Sequence, residues 1–157
     1  MFIQPRGHSS ASEAGEDRLV VCDCETLGLC VRALAPFAAG EVLDRFNGEV
    51  SADLLQHSLQ VSPGMHVHDT RFVGYLSHGC EPNCRLDMER FELVALSDID
   101  AGEVLTIDYA ATEDVLYRQF ACHCAAQRCR AWITGRAESA NEEGRRILDG
   151  QAKPLKS

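Results

Sequence analysis

The sequence contains no apolar run close to the roughly 18 residues that a membrane-spanning helix needs. Its amino-terminal stretch, MFIQPRGHSSASEAGEDR, has no apolar core of the kind that a secretory signal carries. Basic residues are also scarce, since 15 lysines and arginines stand against 24 acidic residues, for a net charge of -9. These features argue against a membrane protein, an exported protein and a nucleic-acid-binding surface, and they allow a basic partner. We expect the protein in the cytosol, or in the nucleus if its source is eukaryotic.

Internal repeats and long helical periodicity are also missing from the 157 residues, a length that suits one domain. The sequence instead offers short strand-like segments separated by turns: LVVCDC, LGLCVRAL, RFNGEV, FELVALSDI and EVLTIDY. Short helical segments are predicted at residues 51–60, capped by Ser51, at 115–121, and in ANEEGRRIL. The pattern predicts a mostly β domain with short helices, preceded by a mobile arm at 1–17.

Cysteine is abundant. Eight cysteines in a chain without an export signal favour reduced thiols and metal over a disulfide framework. The stretch CHCAAQRC gives Cys122, Cys124 and Cys129 in a C-x-C-x4-C array. A tetrahedral zinc site needs four ligands, so a fourth must come from elsewhere. The loop GYLSHGCEPNC offers Cys80 and Cys84. The alternative is a set of buried or surface thiols without metal.

Two weaker metal patterns lie outside this array. Cys22, Cys24 and Cys30 form a C-x-C-x5-C array in the first strand region. A second metal there competes with the more common placement of alternate cysteines on a buried strand face. The stretch HVHD provides His66 and His68 as an H-x-H pattern, for which alternation along a strand is the more common explanation.

Four segments together resemble the SET-domain protein lysine methyltransferases. SHGCEPNC resembles that family's N-H-S-C-x-P-N motif, LTIDY its (E)LTFDY motif, and CHCAAQRCR its cysteine-rich post-SET segment. TLGLCVRA…GEVLDRFNGEV resembles the opening G-x-G strand and the Y-x-G-E segment. The four motifs follow the family's order across residues 25–133. The resemblance implies a fold of small, mostly antiparallel sheets with a threaded pseudo-knot loop, an exception to the rule against threading.

The resemblance also implies a division of the chain and a reaction. The division is an arm at 1–17, a SET domain at 18–112, a post-SET zinc segment at 113–135 and a polar tail at 136–157. The implied reaction is methyl transfer from S-adenosylmethionine to a lysine of a protein or peptide substrate. The implied zinc ligands are Cys80, Cys122, Cys124 and Cys129, with Cys84 as the runner-up to Cys80. The oligomeric state is not implied.

Individual residues take roles from the same resemblance. Tyr109, the tyrosine of LTIDY, matches the catalytic tyrosine that helps hold the amine and the methyl group in line. Its plain alternative is a strand-end tyrosine packed in the core. His78 matches a residue that contacts the cofactor through its backbone as much as through its ring. Trp132 matches a residue that packs against the adenine, and its alternative role is core packing. The expected cofactor contacts are Gly28, Leu29, Ser77, His78, Tyr109 and Trp132, and the expected substrate channel is Phe46, Ile107 and Tyr109.

Four positions depart from the family pattern. Thr26 replaces the first glycine of G-x-G, and Ser77 replaces an asparagine that contacts the cofactor. Phe46 replaces a tyrosine often found near the amine. Ile107 stands where Phe or Tyr is common, which favours higher methylation states. The segment before SHGC is also short for the family, so the substrate groove is the least defined part of the prediction.

These departures keep other functions open. One is a degenerate SET module that binds a peptide or protein partner without catalysis, which Thr26 and Ser77 favour. Another is a purely structural zinc module. The retained Tyr109 and the full post-SET array favour the enzyme. Cofactor binding and methyl transfer separate the three, because only the enzyme turns over and the structural module binds no cofactor.

Overall fold

The computed structural model describes residues 18–152, which form short strands and few helices. The helices are α1 (Tyr109–Thr112) and α2 (Glu142–Ala152), and a 3₁₀ turn spans Val73–Tyr75. The strands are β1 (Leu19–Cys24), β2 (Gly28–Ala33), β3 (Val42–Arg45), β4 (Glu49–Ser51), β5 (Leu59–Ser62), β6 (Met65–His68), β7 (Ser77–His78), β8 (Cys84–Asp87), β9 (Glu92–Ala95), β10 (Thr106–Ile107), β11 (Phe120–Ala121) and β12 (Trp132–Ile133).

This architecture confirms the predicted mostly β domain with short helices. The predicted arm at 1–17 and the last part of the predicted tail, 153–157, lie outside the described residues. Between residues 18 and 152, no helix has the length and apolar character that a membrane crossing requires.

Within residues 18–152, the strands form five small sheets. β1 and β2 make an antiparallel hairpin, β3–β9–β8 and β4–β6–β5 make two three-stranded sheets, and β11 pairs with β12. β7 and β10 pair in parallel, Ser77 with Thr106 and His78 with Ile107. This pair joins the SHGC loop to the LTIDY segment, as the predicted pseudo-knot requires. The Asn83 side chain strengthens the junction, because its Oδ1 accepts from the Thr106 N–H at 2.8 Å and its Nδ2 donates to the Val104 carbonyl at 2.9 Å.

In the described part of the chain, two apolar clusters form the interior. The main core gathers side chains from nearly every sheet, with Val31, Leu93 and Leu105 among its fully buried members. Burying a side chain of this size stabilises the fold by about 1.5–3 kcal/mol. A smaller cluster surrounds Ile133 near the carboxyl end of the domain. Tyr109 packs against both clusters, so it lies where the two parts of the interior meet.

The helix predicted at residues 51–60 is wrong. Ser51 ends β4, and its hydroxyl accepts from the Asp53 N–H at 3.2 Å. Further on, the Ser58 hydroxyl donates to the Leu55 carbonyl at 2.7 Å, and His57 has a φ of 68°. Side-chain bonds of serine to nearby backbone compete with helix formation, and here they produce turns that lead into β5.

The helix predicted at 115–121 is also wrong, since β11 begins within that range. A helical turn occurs earlier, where EVLTIDY was expected to continue as a strand. Asp108 ends the extended segment because its carboxylate accepts from the Ala110 N–H at 3.0 Å and caps α1. The helix expected in ANEEGRRIL is confirmed as α2, whose start is capped by Asn141 through a 2.9 Å bond from the Gly144 N–H.

The expectation that the cysteines are reduced is wrong at one place. Cys24 and Cys30 form a disulfide within the β1–β2 hairpin. The remaining six cysteines are free. The strand predicted for RFNGEV is likewise interrupted, because residues 46–48 separate β3 from β4.

Candidate functional site

A cavity of about 540 Å³ opens where the β1–β2 turn, the β7 segment and the chain leading into β11 meet. Its volume lies in the range of small-molecule sites. Most of the residues expected to bind a cofactor or to form a substrate channel line this one space. They are Gly28, Leu29, Ser77, His78, Ile107 and Tyr109.

The β1–β2 turn forms one wall of the cavity. The Leu27 N–H donates to the Cys24 carbonyl at 3.1 Å, which closes the turn, and Gly28 follows at a φ of 73°. Only a residue without a side chain adopts this backbone geometry at no steric cost. Leu27 and Leu29 on either side are about half exposed, so the turn presents apolar surface at the mouth of the cavity.

Ser77 supplies a polar atom without a partner. Its residue is buried on β7, and no described residue accepts from or donates to its Oγ. Buried polar groups in native structures are nearly always hydrogen-bonded, so this hydroxyl, which has almost no exposed surface of its own, is an exception beside the cavity. A ligand would reach it only after the side chain turns toward the cavity.

Tyr109 is fixed from both ends. Its hydroxyl donates to the Leu76 carbonyl at 2.5 Å, and its backbone N–H donates to Nδ1 of His78 at 3.2 Å. Burial, with a smaller contribution from the Glu113 charge, raises the pKa of Tyr109 to about 12. The phenol is therefore neutral at physiological pH and keeps its hydrogen for donation.

His78 connects the tyrosine with the cysteines. Its Nδ1 accepts from the Tyr109 N–H, and its Nε2 lies 3.4 Å from Cys80 Sγ and 3.3 Å from Nη2 of Arg130. Burial lowers the pKa of His78 to about 4, with Arg130 adding to the effect and Asp108 opposing it. Arg130 and Asp108 form an ion pair at 2.7 Å beside the ring. The imidazole is thus neutral and positioned.

Three aromatic rings meet at this point. His78 lies 5.3 Å from the Tyr109 ring and 5.9 Å from the Phe120 ring, and the two phenyl rings are 5.8 Å apart, all edge to face. Such pairs contribute about 0.5–1.5 kcal/mol beyond area burial. Phe120 was not predicted as a site residue, although an aromatic residue just before the CHC array was the available signal.

The four cysteines expected to bind zinc lie together at the edge of the cavity. The Sγ atoms of Cys80, Cys122, Cys124 and Cys129 all lie within 4.8 Å of one another. Four thiolates at 2.3 Å from a tetrahedral ion are about 3.8 Å apart, and the Cys80 and Cys122 sulfurs are 3.9 Å apart. The donor set therefore fits zinc. Cys84, the runner-up ligand, is buried in the main core instead.

Two predicted residues lie elsewhere. Trp132 is not among the residues that line the cavity, because its indole packs against Gly144 of α2 and its Nε1 donates to Gln119 at 2.9 Å. Phe46 is buried in the main core, 5.4 Å from the Phe91 ring. Phe46 has no hydroxyl that could form a hydrogen bond at the cavity wall.

Further lining residues were not expected from the sequence. Residues 54–59, which were predicted to be helical, form part of the wall, as do 73–76 and 116–118. Glu113 also lines it, and both of its carboxylate oxygens accept from the Gln60 N–H at 2.9 and 3.1 Å. Burial raises the pKa of Glu113 above its ordinary value.

The structure also places the residues of the two weaker metal patterns. The sulfurs of Cys22, Cys24 and Cys30 lie within 4.8 Å of one another, with two of them in the disulfide. His68 lies near Glu49 and Asp69, and its Nδ1 is 3.2 Å from the Asp69 carboxylate. His66 does not belong to that group.

The sequence model of the SET domain family matches residues 28–110, which are more than half of the chain. The chain therefore belongs to the SET-domain family, and the small sheets described above are a SET fold. This confirms the resemblance read from the four motifs. The matched range lies within the predicted SET domain at 18–112, whose outer limits stay a prediction.

Similar curated proteins include Homo sapiens histone-lysine N-methyltransferase 2B, which is 34% identical, with 46% of this chain and 3% of that protein covered. Drosophila melanogaster histone-lysine N-methyltransferase ash1 is 26% identical, with 79% of this chain and 6% of that protein covered. The chain thus spans only a small part of the length of these relatives.

Two solved structures of KRYPTONITE have the same fold. One, in complex with mCHG DNA and SAH, has a TM-score of 0.58 and 27% identity and covers 73% of this chain and 28% of that chain. The other, in complex with mCHH DNA, H3(1-15) peptide and SAH, has a TM-score of 0.57 and 26% identity over 73% of this chain and 29% of that chain.

Proposed function

We propose that the chain is a protein lysine methyltransferase that uses S-adenosylmethionine. The observation that carries the proposal is that one cavity unites Gly28, Ser77, His78 and Tyr109, which come from three separate motifs. The names of the relatives and the SAH in the KRYPTONITE structures support the same reaction. Neither the motifs nor the cavity alone would define it.

The walls of the cavity suit this cofactor. S-adenosylmethionine, when bound, supplies a methyl group on a positively charged sulfonium. Ser77 would offer its unpaired Oγ as a hydrogen-bond partner once its side chain turns toward the cavity. Gly28 lets a ligand approach the backbone closely, and the half-exposed Leu27 and Leu29 offer apolar contact. Trp132 is left out of this cofactor site because the α2 helix covers its ring.

The residues around Tyr109 prepare the substrate amine. A lysine amine has an ordinary pKa of about 10.4 and must lose its proton to attack. Apolar walls, to which Ile107 and Phe120 contribute, disfavour the charged form. The Tyr109 hydroxyl and the Leu76 carbonyl to which it is bonded hold two polar atoms at a defined place in the cavity wall. Most of the rate then comes from alignment.

We further propose that Cys80, Cys122, Cys124 and Cys129 hold one zinc ion. Two of these cysteines, Cys122 and Cys124, line the cavity themselves. Zinc bound there would link the end of β7 to the β11–β12 segment and keep that wall in place. Because a structural zinc site contributes folding free energy, the wall depends on the metal.

The substrate we propose is a basic, lysine-containing protein or peptide. The net charge of -9 allows a basic partner. One KRYPTONITE structure contains an H3(1-15) peptide, and the relatives are named histone-lysine methyltransferases. Ile107 places no phenol in the channel, which leaves room for an amine that already carries methyl groups.

The test is a titration followed by a transfer assay on the same zinc-loaded preparation. We expect S-adenosylhomocysteine to bind in calorimetry and radiolabelled methyl groups to reach lysines of histones or of basic peptides. Binding without transfer would instead support a SET module that binds partners without catalysis. Neither binding nor transfer would leave only the structural zinc module.

A further inference from the structure

The β1–β2 hairpin carries three cysteines on one face. Cys22 and Cys30 are directly opposite in the register, and Cys24 is opposite Gly28. Residues two apart along a strand share a face, and so do residues directly opposite each other. Because Gly28 has no side chain, Cys24 turns diagonally toward Cys30 and bonds to it, with a Cα–Cα distance of 6.2 Å.

The third cysteine lies within reach of this disulfide. Cys22 is a free thiol, and its Sγ is 3.6 Å from the Sγ of Cys30. The Cys24 and Cys30 residues are buried, whereas Cys22 is only partly buried. A small thiol or disulfide from solution therefore meets Cys22 first.

A cation lies beside the sulfur that would leave. Arg32 occupies the same face of β2, and its Nη2 is 3.6 Å from Cys24 Sγ. Its Nη1 donates to the Gly102 carbonyl at 2.8 Å, which fixes the guanidinium in place. A neighbouring arginine stabilises a thiolate and so makes that sulfur a better leaving group.

We propose that Cys22, Cys24 and Cys30 form a thiol–disulfide exchange site for low-molecular-weight thiols and disulfides, which controls the turn at the cavity mouth. In the internal step, Cys22 gives its proton to solvent and its sulfur bonds to Cys30 Sγ. The Cys24–Cys30 bond breaks with its electron pair on Cys24 Sγ, which then takes a proton from solvent. One disulfide is exchanged for another, so no oxidant is needed.

The exchange changes which part of the hairpin the disulfide constrains. The Cys24–Cys30 bond encloses residues 25–29, and this segment includes Thr26, Leu27, Gly28 and Leu29 of the cavity wall. In the Cys22–Cys30 form, Cys24 is free and the turn is held less closely. Complete reduction by a dithiol, which becomes a cyclic disulfide, leaves the turn held by backbone hydrogen bonds alone. The effect on cofactor affinity rests on the proposed function, whereas the exchange chemistry does not.

The experiment uses the full, zinc-loaded chain equilibrated in glutathione buffers of graded oxidised fraction, then quenched by acid and alkylated. Cleavage after Asp23 and Glu25 separates the three cysteines for mass spectrometry. We expect both Cys24–Cys30 and Cys22–Cys30 in the wild type, only the former in Cys22→Ser and only the latter in Cys24→Ser. Cys84→Ala is the control, since Cys84 is a free cysteine buried in the main core.

Two readouts then follow the turn. Hydrogen exchange at residues 25–29 should be fastest in the reduced protein and slowest in oxidised Cys22→Ser. Oxidised Cys22→Ser should also bind S-adenosylhomocysteine about 5-fold or more tightly than its reduced form.

Several results would overturn the proposal. Internal exchange is excluded if Cys24→Ser forms the Cys22–Cys30 disulfide but the wild type never does. A second zinc equivalent that disappears in Cys22→Ser makes the cluster a metal site instead. Equal hydrogen exchange of the turn in the oxidised and reduced forms removes the clamp, whether or not any cofactor binds. If the turn responds but no form binds S-adenosylhomocysteine, the proposed function fails and the exchange site stands.

Discussion

At the scale of single residues, the polar groups of the cavity wall divide into those that have protein partners and those that do not. The hydroxyl of Tyr109 is bonded to a backbone carbonyl, whereas the hydroxyl of Ser77 is bonded to nothing described. The fold therefore positions the Tyr109 hydroxyl, whereas the Ser77 hydroxyl has a hydrogen bond left to make with a ligand. Substitutions at the two positions should therefore have different effects.

Ser77→Ala should stabilise the free protein and weaken cofactor binding. A buried hydroxyl without a partner costs about 1–3 kcal/mol, so its removal raises the thermal midpoint. The same removal takes away a bond that S-adenosylhomocysteine would use, so the dissociation constant rises by roughly 5-fold for a loss of about 1 kcal/mol. Thermal unfolding and calorimetry on one preparation check both signs. A loss of stability would mean that Ser77 already has a protein partner.

Tyr109→Phe should lower turnover far more than it lowers stability. The hydroxyl bonds the Leu76 carbonyl, so its loss costs about 1 kcal/mol of unfolding free energy. Turnover should fall by about 10- to 1000-fold, the loss of one well-placed contact in the transition state. The measurement is the initial rate of methyl transfer by folded protein. A variant whose rate falls only with its folded fraction would make Tyr109 a packing residue. Tyr117→Phe is the matched control at the more exposed rim of the cavity, where a much smaller fall is expected.

Asp44→Asn should stabilise the protein in a pH-dependent way. Burial raises the pKa of Asp44 from 3.8 to about 6, against the opposing charge of Arg71, and its Oδ2 has no described hydrogen-bond partner. A carboxyl with a raised folded pKa binds protons more tightly in the folded state, so its ionisation lowers stability as pH rises from 3.8 toward 6. The thermal midpoint of the variant should therefore gain on that of the wild type between about pH 4 and about pH 7. An unchanged difference across this range would contradict the prediction.

At the scale of elements, the docking of α2 explains why Trp132 does not line the cavity. The ANEEGRRIL helix was predicted, but its partner was not. Gly144 lies against the Trp132 ring so closely that an added Cβ would overlap the indole. The sequence motif put an aromatic residue in the right segment, but periodicity carries no information on which distant helix covers which ring.

Gly144→Ala should therefore destabilise the protein although alanine is the better helix former. The overlap with Trp132 forces α2 away from β12, and this outweighs the gain of about 1 kcal/mol in helix propensity. Trp132, the single tryptophan, should report the change as a shift in fluorescence. Gly150→Ala is the matched control in the same helix, because nothing lies within 4 Å of its added Cβ. That variant should gain about 0.5–1 kcal/mol, and equal effects of the two substitutions would rule out the docking argument.

The elements also show what the sequence could predict. Order and spacing of motifs gave the SET fold, and the strands β1, β2 and β9 follow from alternation. The segment at 51–60 was mistaken for a helix because SADLLQHSLQ fits a helical period, while serine-to-backbone bonds determine its turns. The Cys24–Cys30 disulfide depends on the register that sets Cys24 opposite Gly28, and no local pattern reveals a register.

At the scale of the whole molecule, the described interior consists of two apolar clusters that meet at Tyr109. The main core belongs to the sheets, and the smaller cluster belongs to the segment around Ile133. Tyr109 packs against both, and Cys80 joins the three cysteines of the second part to the β7 loop of the first. The cavity lies between them, so it is complete only when both parts are in place.

Removal of zinc should therefore open the cavity before the sheets unfold. We expect one zinc per chain and, after chelation, faster hydrogen exchange at residues 120–133 while β3 and β9 keep their protection, since metal-binding free energy is local folding free energy. S-adenosylhomocysteine binding should be lost in the same titration, because Cys122 and Cys124 line its proposed site. Cys80→Ser should lose the metal and Cys84→Ala should retain it, although Cys84 is the more deeply buried of the two. Full zinc in Cys80→Ser would transfer the fourth ligand elsewhere, and uniform loss of protection on chelation would show that the two parts of the interior fold as one unit.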